Sequence, residues 1–390
     1  MNRNATPQPV INSKNPDDIR KLTSQATSRK FFIFYLFLLL PGLTAVVLLT
    51  LLTYFSHELF TTTSGLNQQI REKGLYGRST INDTAYYKLK LTETLRPKIL
   101  AIGNSRTMQF RSFFFKESMP FVTAGGAMQN LEEGIAFLDR LAPEISFSTV
   151  VVGIEFWWFN AERPLDAPYK WNDSSYDSYF YVIGASLPFA ASLIQKLSSN
   201  RSQIAYPLNR SDLIGSRAAS FNDGFRLDGS HRPGAYVRGI GESDQNYEYT
   251  KQRIKNEILY MEGGSNISQS AIENYTQFLN KLKSKAEKIV VIWPPFAPEI
   301  NEVLKASNRH QIFSKFADFA KDYHQKKKIP YYDFSSVPFP GRNCYVDGIH
   351  ANQYVYSWIV DQIEEFKELK SPSVGELLGD PARYCEIVEK

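Results

Sequence analysis

Two short stretches far apart in the chain carry the residue types of nucleophilic catalysis: Gly103-Asn104-Ser105-Arg106 and Asp347-Gly348-Ile349-His350. A serine hydroxyl is a weak nucleophile until a base takes its proton. Histidine suits that task near neutral pH. It also needs an acceptor on its second ring nitrogen, to fix tautomer and orientation. Asp347 stands three residues before His350, within reach of the same ring if the segment turns. On this reading Ser105 is the nucleophile, His350 the base and Asp347 the orienting acceptor.

Bringing residues 105 and 350 together requires a scaffold, and the hydrophobic pattern predicts one. Lys98 to Ile102 reads as a first buried strand, with Ser105 at its C-terminal end. Pro120 to Ala124 is a second strand, ending in Gly125-Gly126. Gln129 to Leu141 has the apolar spacing of an amphipathic helix, and Pro143 stops it. Phe147 to Ile154, with its β-branched run, is a third strand that includes Gly153. After a gap the alternation resumes: helix Ser268 to Ala286, strand Lys288 to Trp293, helix Gln311 to Gln325, strand Ile329 to Phe334, and a last helix from Ala351. Strands alternating with helices imply a parallel sheet with right-handed crossovers. The fold class is therefore α/β, a three-layer α/β/α sandwich on a five-stranded parallel sheet. In such a sheet the loops bearing Ser105 and His350 leave at the same carboxyl edge, where open α/β sheets place their ligands. The gap, residues 155–264, is aromatic and lacks this rhythm. It reads as an insertion beside the sheet, with some helix around Tyr179 to Leu197 and a Gly- and Arg-rich loop from Gly224 to Asp244.

At these residues the chain resembles the SGNH (GDSL-like) hydrolases. The matching pieces are Gly103-Asn104-Ser105, Gly125-Gly126 after the second strand, Gly153 after the third, and Asp347-x-x-His350 before the last helix. The resemblance covers roughly residues 97–154 and 268–368 and implies the flavodoxin-like strand order of that family. It implies a Ser105 attack on an ester carbonyl. The oxyanion would be held by the backbone N–H groups of Ser105 and Gly126 and by an asparagine side chain. Asn104 replaces the family's aspartate before the serine, and Glu155 stands where the third-block asparagine is expected. An ionised glutamate would repel an oxyanion. Either Glu155 points elsewhere, or Asn130 or Asn160 supplies the third donor, or the hole has two donors. Arg106 either binds an anionic substrate or pairs with an acidic side chain. Trp157 and Trp158 read as buried side chains of the insertion rather than sugar-stacking platforms. An N-terminal anchor together with these blocks is similar to the extracytoplasmic SGNH-like proteins of bacterial envelope acylation. Those act on alginate, other exopolysaccharides or teichoic acids, often beside a multi-spanning membrane acyltransferase.

Composition bounds the partners. The net charge is +5 over 390 residues, with Lys and Arg spread along the chain. No basic stripe marks a nucleic-acid surface, so no nucleic-acid partner is expected. Five histidines and two cysteines show no metal-ligand spacing, and neither a metal nor a cofactor is expected. Residues 1–30 are polar and read as a disordered cytoplasmic tail. Phe31 to Phe55 is a run of 25 residues without a charge. As a helix it would span roughly 37 Å, enough to cross a bilayer. Arg20, Lys21, Arg29 and Lys30 precede it, so the rest of the chain is expected outside the cytoplasm. The run is too long for a cleaved signal peptide. Residues 56–96 read as a membrane-proximal linker with a helix, 97–370 as the α/β domain and 371–390 as a tail. Outside the cytoplasm, Cys344 and Cys385 could form a disulfide; two free thiols are the alternative.

Overall fold

Five apolar runs pair into one all-parallel sheet. The computed structural model describes residues 28, 30–37, 39–44, 46–47, 51, 57–79, 84–163, 176–184, 210–234, 247–380 and 385. The strands are β1 (Ile99–Gly103), β2 (Phe121–Gly125), β3 (Phe147–Gly153), β4 (Ala286–Trp293) and β5 (Tyr331–Asp333). Their order in the sheet is β2-β1-β3-β4-β5. Every residue of β1 and β2 is buried, and so are all of β3 except Ser148 and the last five residues of β4. Side chains of both parities are therefore covered, as a parallel sheet with both faces packed requires. Register is in step across the middle: Leu100 pairs with Val122 and with Val150, which pairs with Ile289.

Helices pack on the two faces. Leu131–Arg140 follows β2, Gln269–Lys283 follows β3, and Gln311–Lys327 follows β4. The three crossovers run in the same direction across the sheet, so right-handed connection puts their helices on one face. The contacts agree: Leu131–Arg140 packs on Gln269–Lys283, and Tyr275 Oη donates to His324 Nε2 of the third helix at 2.7 Å. Gln353–Gln362 and Pro372–Leu378 pack against each other beyond β5. Ser268 and Asn352 cap the starts of the helices that follow them.

Residues 56–96 do more than link. Helices Thr62–Glu72 and Thr84–Leu95 flank the two-residue strand Leu75–Tyr76. That strand joins Leu213–Ile214, Gly224–Phe225 and His231–Arg232 of the insertion in a second, four-stranded sheet. The Gly- and Arg-rich loop expected at Gly224 to Asp244 thus begins as two short antiparallel strands, while residues 235–246 lie outside the described residues. Of the expected helix around Tyr179 to Leu197, residues 179–184 are helical and 185–197 lie outside the described residues.

The chain divides into two compact units, Met1–Leu52 and Thr53–Lys390. In the first, all described residues are helical, and Phe31, Phe34, Phe37, Leu40 and Leu43 are exposed. Among the described residues no helix is long and apolar enough to cross a membrane. Positions 38, 45, 48–50 and 52–55 of the expected span lie outside them, as do 1–27 and 29 of the expected tail.

Candidate active site

β1 ends at Gly103, and the chain turns at once into a 3-10 turn, Ser105–Gln109. Asn104 caps it: its Oδ1 accepts the Arg106 N–H at 3.0 Å. The turn presses Thr107 onto the sheet edge. A Cβ on Gly103 would come within 2.7 Å of Thr107 Cγ2, and one on Gly153 within 2.2 Å of the same atom. The glycines closing β1 and β3 make room for the turn that carries Ser105.

The second half of the site comes from the loop after β5. Val346 N–H donates to the His350 carbonyl at 2.7 Å, and Asp347 Oδ1 accepts the N–H groups of Ile349 and His350 at 2.8 and 2.9 Å. This local turn brings the Asp347 carboxylate against His350 Nδ1, at 2.9 Å from Oδ1 and 2.8 Å from Oδ2. With a carboxylate accepting there, Nδ1 carries the proton and Nε2 presents its lone pair. Ser105 Oγ lies 2.8 Å from Nε2. Ser105, His350 and Asp347 are all half-buried, reachable by a substrate yet held by protein. Burial pushes the Asp347 carboxyl up, but the His350 ring and the two N–H groups outweigh it and hold it down at about 2.

Two elements bring these halves together. The Gln353–Gln362 helix starts just after His350, and its Tyr356 hydroxyl donates to the Arg106 carbonyl. Arg111 donates to Gln353 Oε1 of the same helix. Asn352 then ties the loop to the C-terminal tail: its Nδ2 donates to the carbonyls of Asn343 at 2.7 Å and Cys385 at 2.9 Å. Cys344 and Cys385 are joined by a disulfide, and both are buried. From the other side, Thr250 of the helix Glu248–Asn256 packs on Gly348, where a Cβ would come within 2.7 Å of its Oγ1. Sequence reasoning missed Thr250, Gln353 and Tyr356.

The remaining expected site residues are placed differently. Arg106 is fully buried, not facing a substrate: its guanidinium donates to Glu155 Oε2 and to the Pro294 carbonyl, and lies 3.7 Å above the Phe296 ring centroid. Pairing with an acid is therefore the reading that holds. Glu155 points at Arg106. Burial pushes its carboxyl up to about 7, against the pull of Arg106 and of the Asn104 side chain. The Gly126 N–H, expected as an oxyanion donor, is occupied: it donates to the carbonyls of Gly103 at 2.9 Å and Asn104 at 2.8 Å. Glycine is favoured at 126 for another reason, a φ of +82°, which L side chains rarely adopt. Asn130 caps the Leu131–Arg140 helix through the Glu133 N–H at 2.9 Å. Asn160 donates to the Glu262 and Gly263 carbonyls, both at 3.1 Å. Neither asparagine bonds to Ser105 or His350 among the described residues. The Ser105 N–H has no hydrogen-bond partner among them and is the donor left for an oxyanion. Trp157 and Trp158 are buried. Among the described residues no group of three or more His, Cys, Asp or Glu could hold a metal ion.

The chain matches no protein-family model and no curated protein.

Proposed function

We propose that the protein is a membrane-anchored serine esterase or O-acyltransferase of SGNH type, facing out of the cytoplasm. It would act on O-acyl groups of envelope polysaccharide. The observation that carries this reading is the Ser105–His350–Asp347 chain, with contacts of 2.8 Å on each side of the ring. Ser105 Oγ forms a bond to the acyl carbonyl carbon as its proton passes to His350 Nε2. The carbonyl oxygen, now negative, turns to the Ser105 N–H. The intermediate collapses, the C–O bond to the leaving alcohol breaks, and that oxygen takes the proton from His350. Water or a sugar hydroxyl then gives its proton to His350 and bonds to the acyl carbon; the bond from that carbon to Ser105 Oγ breaks, and Oγ takes the proton back from His350. Water makes the protein an esterase; a sugar hydroxyl makes it a transferase. Asp347 keeps the ring in one tautomer and steadies its charged form. A multi-spanning membrane acyltransferase is the partner that would supply the acyl group.

The anchor is residues 31–55, uncharged and preceded by four basic residues. Its described positions carry exposed large apolar side chains all round, which suits lipid as a surrounding.

A second reading, a catalytically weak scaffold or glycan-binding subunit of an envelope polysaccharide machine, draws on one observation. Gly126, Asn130 and Asn160 are all engaged elsewhere, which leaves one oxyanion donor. One such donor contributes on the order of 10²–10³ in kcat. The two readings separate in an assay of the full chain in detergent, with an acetyl ester donor and a glycan acceptor. Hydrolysis or transfer lost in both Ser105→Ala and His350→Ala, with circular dichroism unchanged, supports the enzyme. Wild-type protein that turns over no ester and transfers no acetyl group supports the scaffold.

A further inference from the structure

Residues 176–184 hold four large apolar side chains out in solvent. Tyr179 is 61%, Phe180 90%, Tyr181 41% and Ile183 47% exposed, while Val182 turns inward and is buried. The segment is pinned at its start. Asp177 Oδ1 accepts the Thr63 N–H at 2.9 Å, and Oδ2 accepts the hydroxyls of Thr63 and Tyr86, both at 2.7 Å. Tyr176 stacks on Tyr86 with ring centroids 5.5 Å apart. The patch is therefore fastened to the start of the helix Thr62–Glu72.

Thr63 stands eight residues after Phe55, the last residue of the apolar run. Eight residues reach at most about 29 Å. We infer that the Tyr179-Phe180-Tyr181-Ile183 patch docks into the headgroup layer of a lipid bilayer; this rests on the anchored reading proposed above. A cluster of exposed aromatic side chains marks an interaction surface rather than a water-facing one. Tyrosine, apolar in its ring and polar at its tip, is enriched at membrane–water interfaces. On so short a tether, the membrane that holds residues 31–55 is the apolar surface within constant reach. The patch is thus a second membrane contact.

Spin labels test this on the full chain. The two native cysteines are joined to each other, so Phe180→Cys takes a nitroxide selectively. Asn280→Cys, exposed on the helix Gln269–Lys283, serves as the aqueous reference. The protein is reconstituted into vesicles of phosphatidylcholine and phosphatidylglycerol. Each label's accessibility is then read with oxygen, which concentrates in lipid, and with a nickel chelate, which stays in water. The oxygen-to-chelate ratio is expected to be several-fold higher at 180 than at 280. Equal ratios in protein that floats with the vesicles overturn the docking and leave the anchor standing. A label at 180 shielded from both reagents also overturns it, in favour of a protein on the patch. Full-length protein that does not float with vesicles overturns the anchor and the docking together.

Discussion

Asp347→Asn keeps the shape of the side chain and reverses half of its chemistry. The amide oxygen can still accept the Ile349 and His350 N–H groups, but the amide nitrogen can donate to His350 Nδ1. The ring proton then moves to Nε2, facing Ser105. On the triad reading kcat for ester turnover falls on the order of 10⁴-fold, with little change in the circular dichroism spectrum. Asp347 also sets a boundary on pH. Its carboxyl titrates lower in the folded chain, about 2, than in an unfolded one. The stability it contributes is therefore present above roughly pH 4 and is lost as pH falls towards 2. Activity lost above pH 5 does not come from protonating Asp347. The Arg106–Glu155 pair runs the other way. Glu155 is raised to about 7, so its folded-state proton is favoured and this group's contribution to stability declines as pH rises through 7. Removing Arg106 leaves Glu155 buried without its cation. Arg106→Met is expected to cost about 3–5 kcal/mol at pH 8, measured by urea unfolding, and less at pH 5, since burial favours the protonated Glu155. Equal costs at the two pH values would show that Glu155 does not carry the charge.

These residues were not equally legible. Asp347 and His350 stand three apart and form their contact within one turn, so spacing alone suggested it. Arg106 and Glu155 stand 49 positions apart, and residue type offered each of them several partners. Gly126 was assigned as an oxyanion donor from the resemblance alone; in the structure its N–H holds the Ser105 turn, and its positive φ is what favours glycine there.

The loop before the Gln353–Gln362 helix is where elements meet. It is held by Asn352 at the cap, by Tyr356 on the Arg106 carbonyl, and by the Cys344–Cys385 disulfide, which spans 41 positions. A loop of that length gives a chain-entropy stabilisation of about 4 kcal/mol. Cys385→Ser is expected to lower Tm and to reduce ester turnover, because the bridge lies three residues before Asp347. Alkylation of the denatured, unreduced protein checks the bridge itself: two modified cysteines in the mass spectrum would contradict it. The strands β1 to β4 were readable because buried parallel strands are near-continuous apolar runs. The second sheet was not. Its strands are two residues long, shorter than any periodicity can register, and its pairing joins residue 75 to residue 213. The helix Glu248–Asn256 was missed because its buried positions, Thr250, Arg253 and Ile254, are two-thirds polar and show no apolar stripe.

For the whole molecule, the reading joins an outward-facing esterase or transferase to a membrane anchor. On the proposed reading, the charge step before Phe31 would set the orientation. A reporter that works only outside the cytoplasm, fused after Lys390, is expected to be active; a reporter active only in the cytoplasm would contradict both the location and a role on envelope polysaccharide. The claim on which everything else depends is that His350 activates Ser105. A fluorescent fluorophosphonate tests it most directly, since it reacts with a serine only where a base has raised its nucleophilicity. Wild-type protein should be labelled on the peptide that contains Ser105, while Ser105→Ala is not labelled and His350→Ala is labelled far more slowly, all three with the same circular dichroism spectrum. Folded wild-type protein that takes up no label, or labelling that survives in Ser105→Ala, would contradict it.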